Sequence, residues 1–232
     1  MCGRFTLRAP LNVLAEQFLF TLPGNLADQP RFNIAPSQPI VAVHQPPAAT
    51  TRQALLLRWG LVPSWASDQG VGHRMINARS ETAHEKPSFR TPFRQQRCLV
   101  LADGFYEWQK KGREKQAWYF HRPDQQPFAF AGLWESWKEP GQQQALLTGT
   151  ILTTTPNELS RPIHDRMPVI LASEDHQAWL DPGNQDQDSL RGLLVPCPDD
   201  QLTCRPVSSH VNNPRHDDEQ CIRETVTEQE LF

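Results

Sequence analysis

Twenty-one prolines are spread along the 232 residues of this chain, and they confine it to short elements joined by loops. Proline lacks a backbone N–H and fixes φ, so it interrupts helix interiors and central strands alike. Between the prolines lie runs rich in Val, Ile, Phe, Trp and Thr that read as strands: Pro39 to His44, Cys98 to Leu101, Ala117 to His121, Pro127 to Leu133 and Leu146 to Thr153. Gly112, in the charged Lys110 to Lys115 segment between two of them, marks a hairpin turn. Helical spacing is confined to brief stretches. Leu11, Leu14, Ala15, Phe18 and Leu19 predict a helix from Leu11 to Phe20, ending before Pro23-Gly24. Thr155-Pro156-Asn157-Glu158 predicts a helix start with a capping box, cut short by Pro162. Ser173 opens another helix running to Leu180, and Asp188 to Val195 predicts a third. No regular crossover helices separate the strands. The expected fold class is therefore α+β, with a mainly antiparallel sheet in one domain spanning 1–232.

Composition narrows the setting. No stretch approaches the roughly 20 apolar residues of a membrane span. Met1-Cys2-Gly3-Arg4 has no apolar signal-peptide core after it, which argues against secretion. Five cysteines without dense spacing fit free thiols in a reducing compartment, so the expected location is cytoplasmic. The net charge of -3 excludes a uniformly basic nucleic-acid coat. It hides an asymmetry: residues 1–116 hold fifteen Lys and Arg against eight Asp and Glu, and the remainder holds eight against eighteen. Such a split can set a basic face opposite an acidic one, or it can simply follow a solvated surface.

Cys2 is the most informative single residue. Initiator methionine is normally excised before a small residue, and excision here leaves a cysteine with a free α-amine. The amine titrates near 7.7–8.0 and the thiol near 8.5, so both nucleophiles are partly available at neutral pH. The amine can condense with an aldehyde, and the thiol can close on the imine carbon to give a thiazolidine. Alternatively the thiolate can attack an acyl group with the amine as base. Four further residues sit in distinctive segments. Asn33 lies in Arg31-Phe32-Asn33-Ile34-Ala35-Pro36, and Asn77 lies two residues before Arg79, on one face of an extended segment. Glu107 lies among aromatics in Ala102-Asp103-Gly104-Phe105-Tyr106-Glu107-Trp108, where apolar surroundings raise a carboxyl pKa and suit acid/base work. His164 lies beside a charged pair in Pro162-Ile163-His164-Asp165-Arg166-Met167-Pro168.

These segments carry a resemblance. With Cys2-Gly3-Arg4-Phe5, Trp59-Gly60-Leu61-Val62-Pro63-Ser64-Trp65, Ile76-Asn77-Ala78-Arg79-Ser80-Glu81-Thr82 and the tail from Pro206 to Pro214, the chain resembles the SOS response-associated peptidase (SRAP) family, also called the HMCES/YedK family. The blocks appear in order and span almost the whole chain. The resemblance implies a strongly curved, barrel-like sheet with flanking short helices. It implies a sensor and shield of abasic sites in single-stranded DNA, a DNA-damage and SOS-response protein acting as a monomer without metal or cofactor. Removal of Met1 is a peptidase-like self-processing step. Cys2 then forms a thiazolidine cross-link with the ring-opened sugar, a lyase-like chemistry that stops short of strand cleavage. On this resemblance Cys2 is the nucleophile, Asn77 holds the opened sugar and the amine, Glu107 is the acid/base and His164 helps open the ring. Arg4, Arg79 and Arg166 are the expected phosphate contacts, Asn33 shapes the DNA site, and Trp65 stacks on an exposed base.

Two other functions share parts of this pattern. Amidohydrolases with an N-terminal nucleophile also begin Met-Cys-Gly, and a non-covalent single-strand binding module would need only the Trp and Arg residues. Cys197, Cys204, His210, His216 and Cys221 crowd the tail, but no Cys-x-x-Cys pair is present and the expectation is no metal site.

Overall fold

Every residue of Arg97–Ala102 is buried, as expected of a strand covered on both faces. This strand lies within a computed structural model that describes residues 2–22, 28–139 and 141–225. In chain order the strands are β1 (Phe5–Leu7), β2 (Phe20–Thr21), β3 (Arg31–Ile34), β4 (Pro39–His44), β5 (Arg52–Trp59), β6 (Asn77–Arg79), β7 (Arg97–Ala102), β8 (Gly104–Lys111), β9 (Glu114–His121), β10 (Phe128–Lys138), β11 (Ala145–Thr154), β12 (Met167–Pro168), β13 (Ile170–Leu171) and β14 (Thr203–Val207). The α-helices are α1 (Leu11–Phe18), α2 (Ser80–Ala83), α3 (Arg90–Gln95), α4 (His176–Leu180) and α5 (Gln187–Gly192). None of the described helices is long and apolar enough to cross a membrane.

Strands β11, β10, β7, β4 and β5 follow one another through antiparallel pairs. A parallel pairing of β5 with β11, Arg58 opposite Thr148 and Trp59 opposite Gly149, closes them into a five-stranded barrel. Closure removes both edges of the sheet. The fold is thus α+β with a mixed, mainly antiparallel barrel and short helices. A second sheet, in the order β14-β9-β8-β1-β3, packs on it. The aromatic core joins the two: the Phe5 ring meets Trp59 at 5.1 Å and Phe130 at 5.8 Å, and Phe105 stacks on Phe120 at 4.8 Å. β7 leads into β8 through Asp103 alone, so barrel and second sheet share one continuous stretch of chain. Gly104 is required where they meet. A Cβ there would stand 2.2 Å from the Tyr119 hydroxyl oxygen.

The expected hairpin is present, with Lys111 paired to Glu114 and Gly112 at φ +62 between them. Helix α1 starts at the expected residue but stops at Phe18, because Leu19 turns left-handed at φ 56 and Phe20–Thr21 joins β5 as a strand. The Pro23-Gly24 stop lies outside the described residues. The helix expected from Thr155 does not form. Asn157 Oδ1 accepts the Ser160 N–H at 3.0 Å and its Nδ2 donates to Cys197 O, which bends the chain into consecutive turns. The Ser173 helix is a 3-10 turn running into α4, and the helix expected from Asp188 to Val195 is α5, capped by Asp186 and ending at Gly192 rather than Val195.

Candidate active site

β1 runs antiparallel to β8, with Phe5 opposite Phe105 and Thr6 opposite Gly104. That register sets the residues before Phe5 beside those after Phe105, and Tyr106 N donates to Arg4 O at 3.0 Å. The start of the chain therefore lies along β8 at Glu107. β6 pairs in parallel with β11, Asn77 opposite Ile151 and Arg79 opposite Thr153. β12 pairs with the same end of β11, Met167 opposite Thr154, and carries His164 and Arg166 with it. Gln109 shares the Glu107 face of β8 and donates to Pro162 O at 3.0 Å, drawing the His164 segment over that strand.

These pairings bring four residues from distant positions together. Asn77 Nδ2 donates to Cys2 O at 2.7 Å. His164 Nε2 stands 4.0 Å from Glu107 Oε2. Glu107 is close enough to act on the Cys2 thiol electrostatically. Cys2 is fully buried, and its Sγ lies 3.8 Å from Arg4 O. Burial pushes its thiol well above the ordinary cysteine range, and the Glu107 charge adds to the shift. Glu107 is 2% exposed, and burial pushes its carboxyl up to about 7, helped by Asp165. Burial holds His164 below the usual histidine range, so the ring is neutral near pH 7. Its Nδ1 accepts the Arg166 N–H at 3.0 Å, which leaves the proton on Nε2, the nitrogen facing Glu107. Protonation would instead turn Nδ1 into a donor for Asp165 Oδ1, 2.9 Å away. Asn77 Oδ1 is buried and accepts no hydrogen bond among the described residues.

The five residues expected to contact DNA divide into two groups. Arg79 is exposed, and Trp65 is 66% exposed on a loop anchored by Val62 N on Thr148 Oγ1 and by Trp137 Nε1 on Ala66 O. A core role for Trp65 is excluded. The other three are engaged within the protein. Arg166 forks onto Glu81 at 2.6 and 2.9 Å and donates to Thr153 O at 2.5 Å. Arg4 donates to Asn33 Oδ1 at 2.8 Å and Val211 O at 2.9 Å, with its guanidinium over the Trp108 ring. Asn33 has no exposed surface, and its Nδ2 donates to the carbonyls of Val211, Asn213 and His216. Its place is as the clamp on the C-terminal segment, not as a surface that DNA can touch.

Three supporting residues escaped the sequence reading. Glu81 holds Arg166, and its signal was available, since it follows Arg79 by two residues in the same segment. Asp103 accepts from Thr6 Oγ1 at 2.5 Å, Ala9 N at 3.0 Å, Arg8 Nε at 3.1 Å and the Arg8 N–H, fixing β1 against β8. Asn212 accepts from Trp108 Nε1 at 2.7 Å; it lies in the Pro206 to Pro214 block, which carries no local sign of that partner.

A family model described as SOS response associated peptidase (SRAP) matches residues 1–214. Abasic site processing protein YoqW of Bacillus subtilis is 44% identical over 226 residues, covering 96% of this chain and 99% of that protein. Abasic site processing protein HMCES of Xenopus tropicalis is 32% identical over 203 residues, covering 78% of this chain and 60% of that protein. A solved structure from Bacteroides thetaiotaomicron superposes with a TM-score of 0.86 at 23% identity, covering 97% of this chain and 100% of that one, a likeness of fold.

Proposed function

Since the chain belongs to the SOS response-associated peptidase family, we propose that it processes abasic sites, capping them in single-stranded DNA through a covalent bond to Cys2. The observation that carries this reading is the meeting of Cys2 with Asn77, Glu107 and His164 at the start of the chain. Met1 lies outside the described residues. Its removal exposes the Cys2 α-amine, which condenses with the C1′ aldehyde of the opened sugar and releases one water. The S–H then adds across the C=N bond: sulfur bonds to carbon, the proton goes to nitrogen, and a thiazolidine closes.

Each neighbour has a task in that sequence. The closed hemiacetal needs a proton on its ring oxygen and must lose one from its hydroxyl. The imidazolium form of His164, with Asp165 beside its Nδ1, supplies the first from Nε2 and returns to the neutral ring, and ionised Glu107 accepts the second. A carboxyl titrating near neutrality is matched to such transfers, which are worth about 10²–10⁴ in rate. The buried thiol is protonated at rest, and Glu107, whose charge acts on it, can carry its proton to the imine nitrogen as sulfur attacks. Asn77 fixes the Cys2 carbonyl, and its buried Oδ1 offers an acceptor for the amine or a sugar hydroxyl. Arg79 and Trp65 supply exposed contacts for phosphate and base, while Arg4, Asn33 and Arg166 hold the frame.

Intact mass spectrometry tests the reading. Mixing the protein with an oligonucleotide carrying one abasic site should give protein lacking Met1 plus oligonucleotide minus one water. A non-covalent binding module gives no such species, and a stable adduct from protein that retains Met1 overturns the thiazolidine.

A further inference from the structure

The expectation of no metal site rests on the absence of paired cysteines in sequence, yet the folded tail brings other donors together. After β14 the chain makes two short 3-10 turns, Ser209–Asn212 and Glu219–Ile222. His210 comes from the first turn, Asp218 caps the second and Cys221 lies within it. Their ligating atoms all lie within 4.8 Å of one another, and His210 Nε2 is 3.1 and 3.2 Å from the two Asp218 oxygens. Donors around a tetrahedral zinc ion, with bonds of about 2.0–2.3 Å, stand roughly 3.2–3.8 Å apart. Cys221 thus needs to move by no more than about 1.0–1.6 Å to complete a three-ligand set.

The surroundings suit a metal. His216 stacks on His210 at 3.9 Å and is itself held in place, with Nδ1 2.9 Å from His210 O and Nε2 3.1 Å from Asn213 Nδ2. It buttresses the His210 ring without competing for the site. Cys221 is fully buried and its Sγ–H reaches the His216 carbonyl at 3.5 Å, a weak contact to give up. Asp218 is exposed, which leaves a path of entry.

We propose that His210, Asp218 and Cys221 form a binding site for a divalent transition metal of the zinc class, with water as fourth ligand. One imidazole, one carboxylate and one thiolate together select zinc-like ions over magnesium or calcium, which prefer oxygen alone. Binding replaces the S–H proton by an S–metal bond and releases that proton to solvent. The two negative ligands then balance the dication. Such an ion would tie together the two turns that bracket the stretch holding Val211, Asn213, His216 and Asp217, the groups that hold Asn33, Arg4 and β3. Cys221 lies within electrostatic reach of Arg4 and Tyr106, so the role of the site is to rigidify the strap behind the reacting residues.

The test uses untagged, full-length protein stripped with a chelator and titrated with Co²⁺, then with Zn²⁺. The expected result is one equivalent of saturable binding, a thiolate-to-cobalt charge-transfer band, a rise in melting temperature with Zn²⁺ and release of about one proton per metal. Cys221→Ser should remove the band although Cys2, Cys98, Cys197 and Cys204 remain, and His210→Ala and Asp218→Asn should each weaken Zn²⁺ binding by at least about tenfold. Asp218 is exposed, so its variant folds even if Cys221→Ser does not. A band that survives Cys221→Ser, an affinity unchanged by Asp218→Asn, or no saturable binding at micromolar metal overturns the proposal and leaves His210 and Asp218 as an ordinary ion pair.

Discussion

Glu107 is 2% exposed and titrates near 7, whereas an exposed glutamate titrates near 4.3. Between those pH values the folded protein holds a proton that the unfolded chain has released. Stability therefore falls as pH rises through that window, by a total on the order of 3 kcal/mol. Glu107→Gln removes this cost. Thermal melts should show the variant more stable than the parent at pH 8, by several degrees, with the gain shrinking to nothing near pH 4. The same variant should form the adduct about 10²–10⁴-fold more slowly, so the residue trades stability for rate. Equal melting temperatures at pH 8 would mean that the carboxyl is not held near neutrality. Cys2 is different in kind, since it supplies the bonds to the sugar. Cys2→Ala should abolish the stable adduct yet keep a free amine able to form a transient imine, which promotes β-elimination. A denaturing gel scoring shifted and cleaved oligonucleotide separately should show nicking without a shifted band, and a parent-like shifted band would sink the mechanism.

At the scale of elements, the site depends on the register of β1 against β8 and on the C-terminal strap. Gly104 permits the first. A methyl group there would collide with Tyr119, whose hydroxyl pairs with Thr6 Oγ1 at 3.1 Å. Gly104→Ala should therefore displace β1, costing about 2–4 kcal/mol in a urea titration, and should slow adduct formation beyond what lost stability explains. An unchanged midpoint would show that β8 tolerates the shift. Asn33 secures the strap through its side-chain NH2, whose two N–H groups are shared among three carbonyls of the tail. Asn33→Ala removes its donations to those carbonyls and its acceptance from Arg4, for a loss of about 2–3 kcal/mol. Hydrogen exchange should rise first across 208–222. Exchange that rises uniformly over the chain would instead make Asn33 part of the global core.

For the whole molecule, the basic half of the chain holds Cys2, Asn77, Arg79 and Glu107, and the net charge of -3 comes from the other half. Phosphate contacts release counterions, so the rate of cross-linking should fall as salt rises. Arg79→Ala should weaken binding to single strands with or without a lesion and reduce the log–log salt slope by about 0.7, the value for one lost contact. A slope equal to the parent's would move the phosphate path away from Arg79.

The residues that do chemistry were legible because their identity is itself the signal: a cysteine next to the initiator, a carboxyl among aromatics, a histidine beside a charged pair. The barrel strands β4, β7, β10 and β11 were equally legible, as runs rich in Val, Ile, Phe, Trp and Thr bounded by Pro, Gly and polar residues. Short or polar-flanked strands were not. β1 and β6 have three residues each, too few for a period, and β5 is interrupted by Arg52, Gln53 and Arg58. The turn at Asn157 defeated a sound capping pattern because a partner at Cys197, 40 residues away, took the side-chain amide. The same limit governs the site. Thr6 meets Asp103 across 97 residues, Asn33 meets Val211 across 178 and Arg4 meets it across 207. Local sequence encodes propensity and reactivity. Which donor meets which acceptor is settled only when the barrel closes and buries them, since an unpaired polar group is costly only out of water.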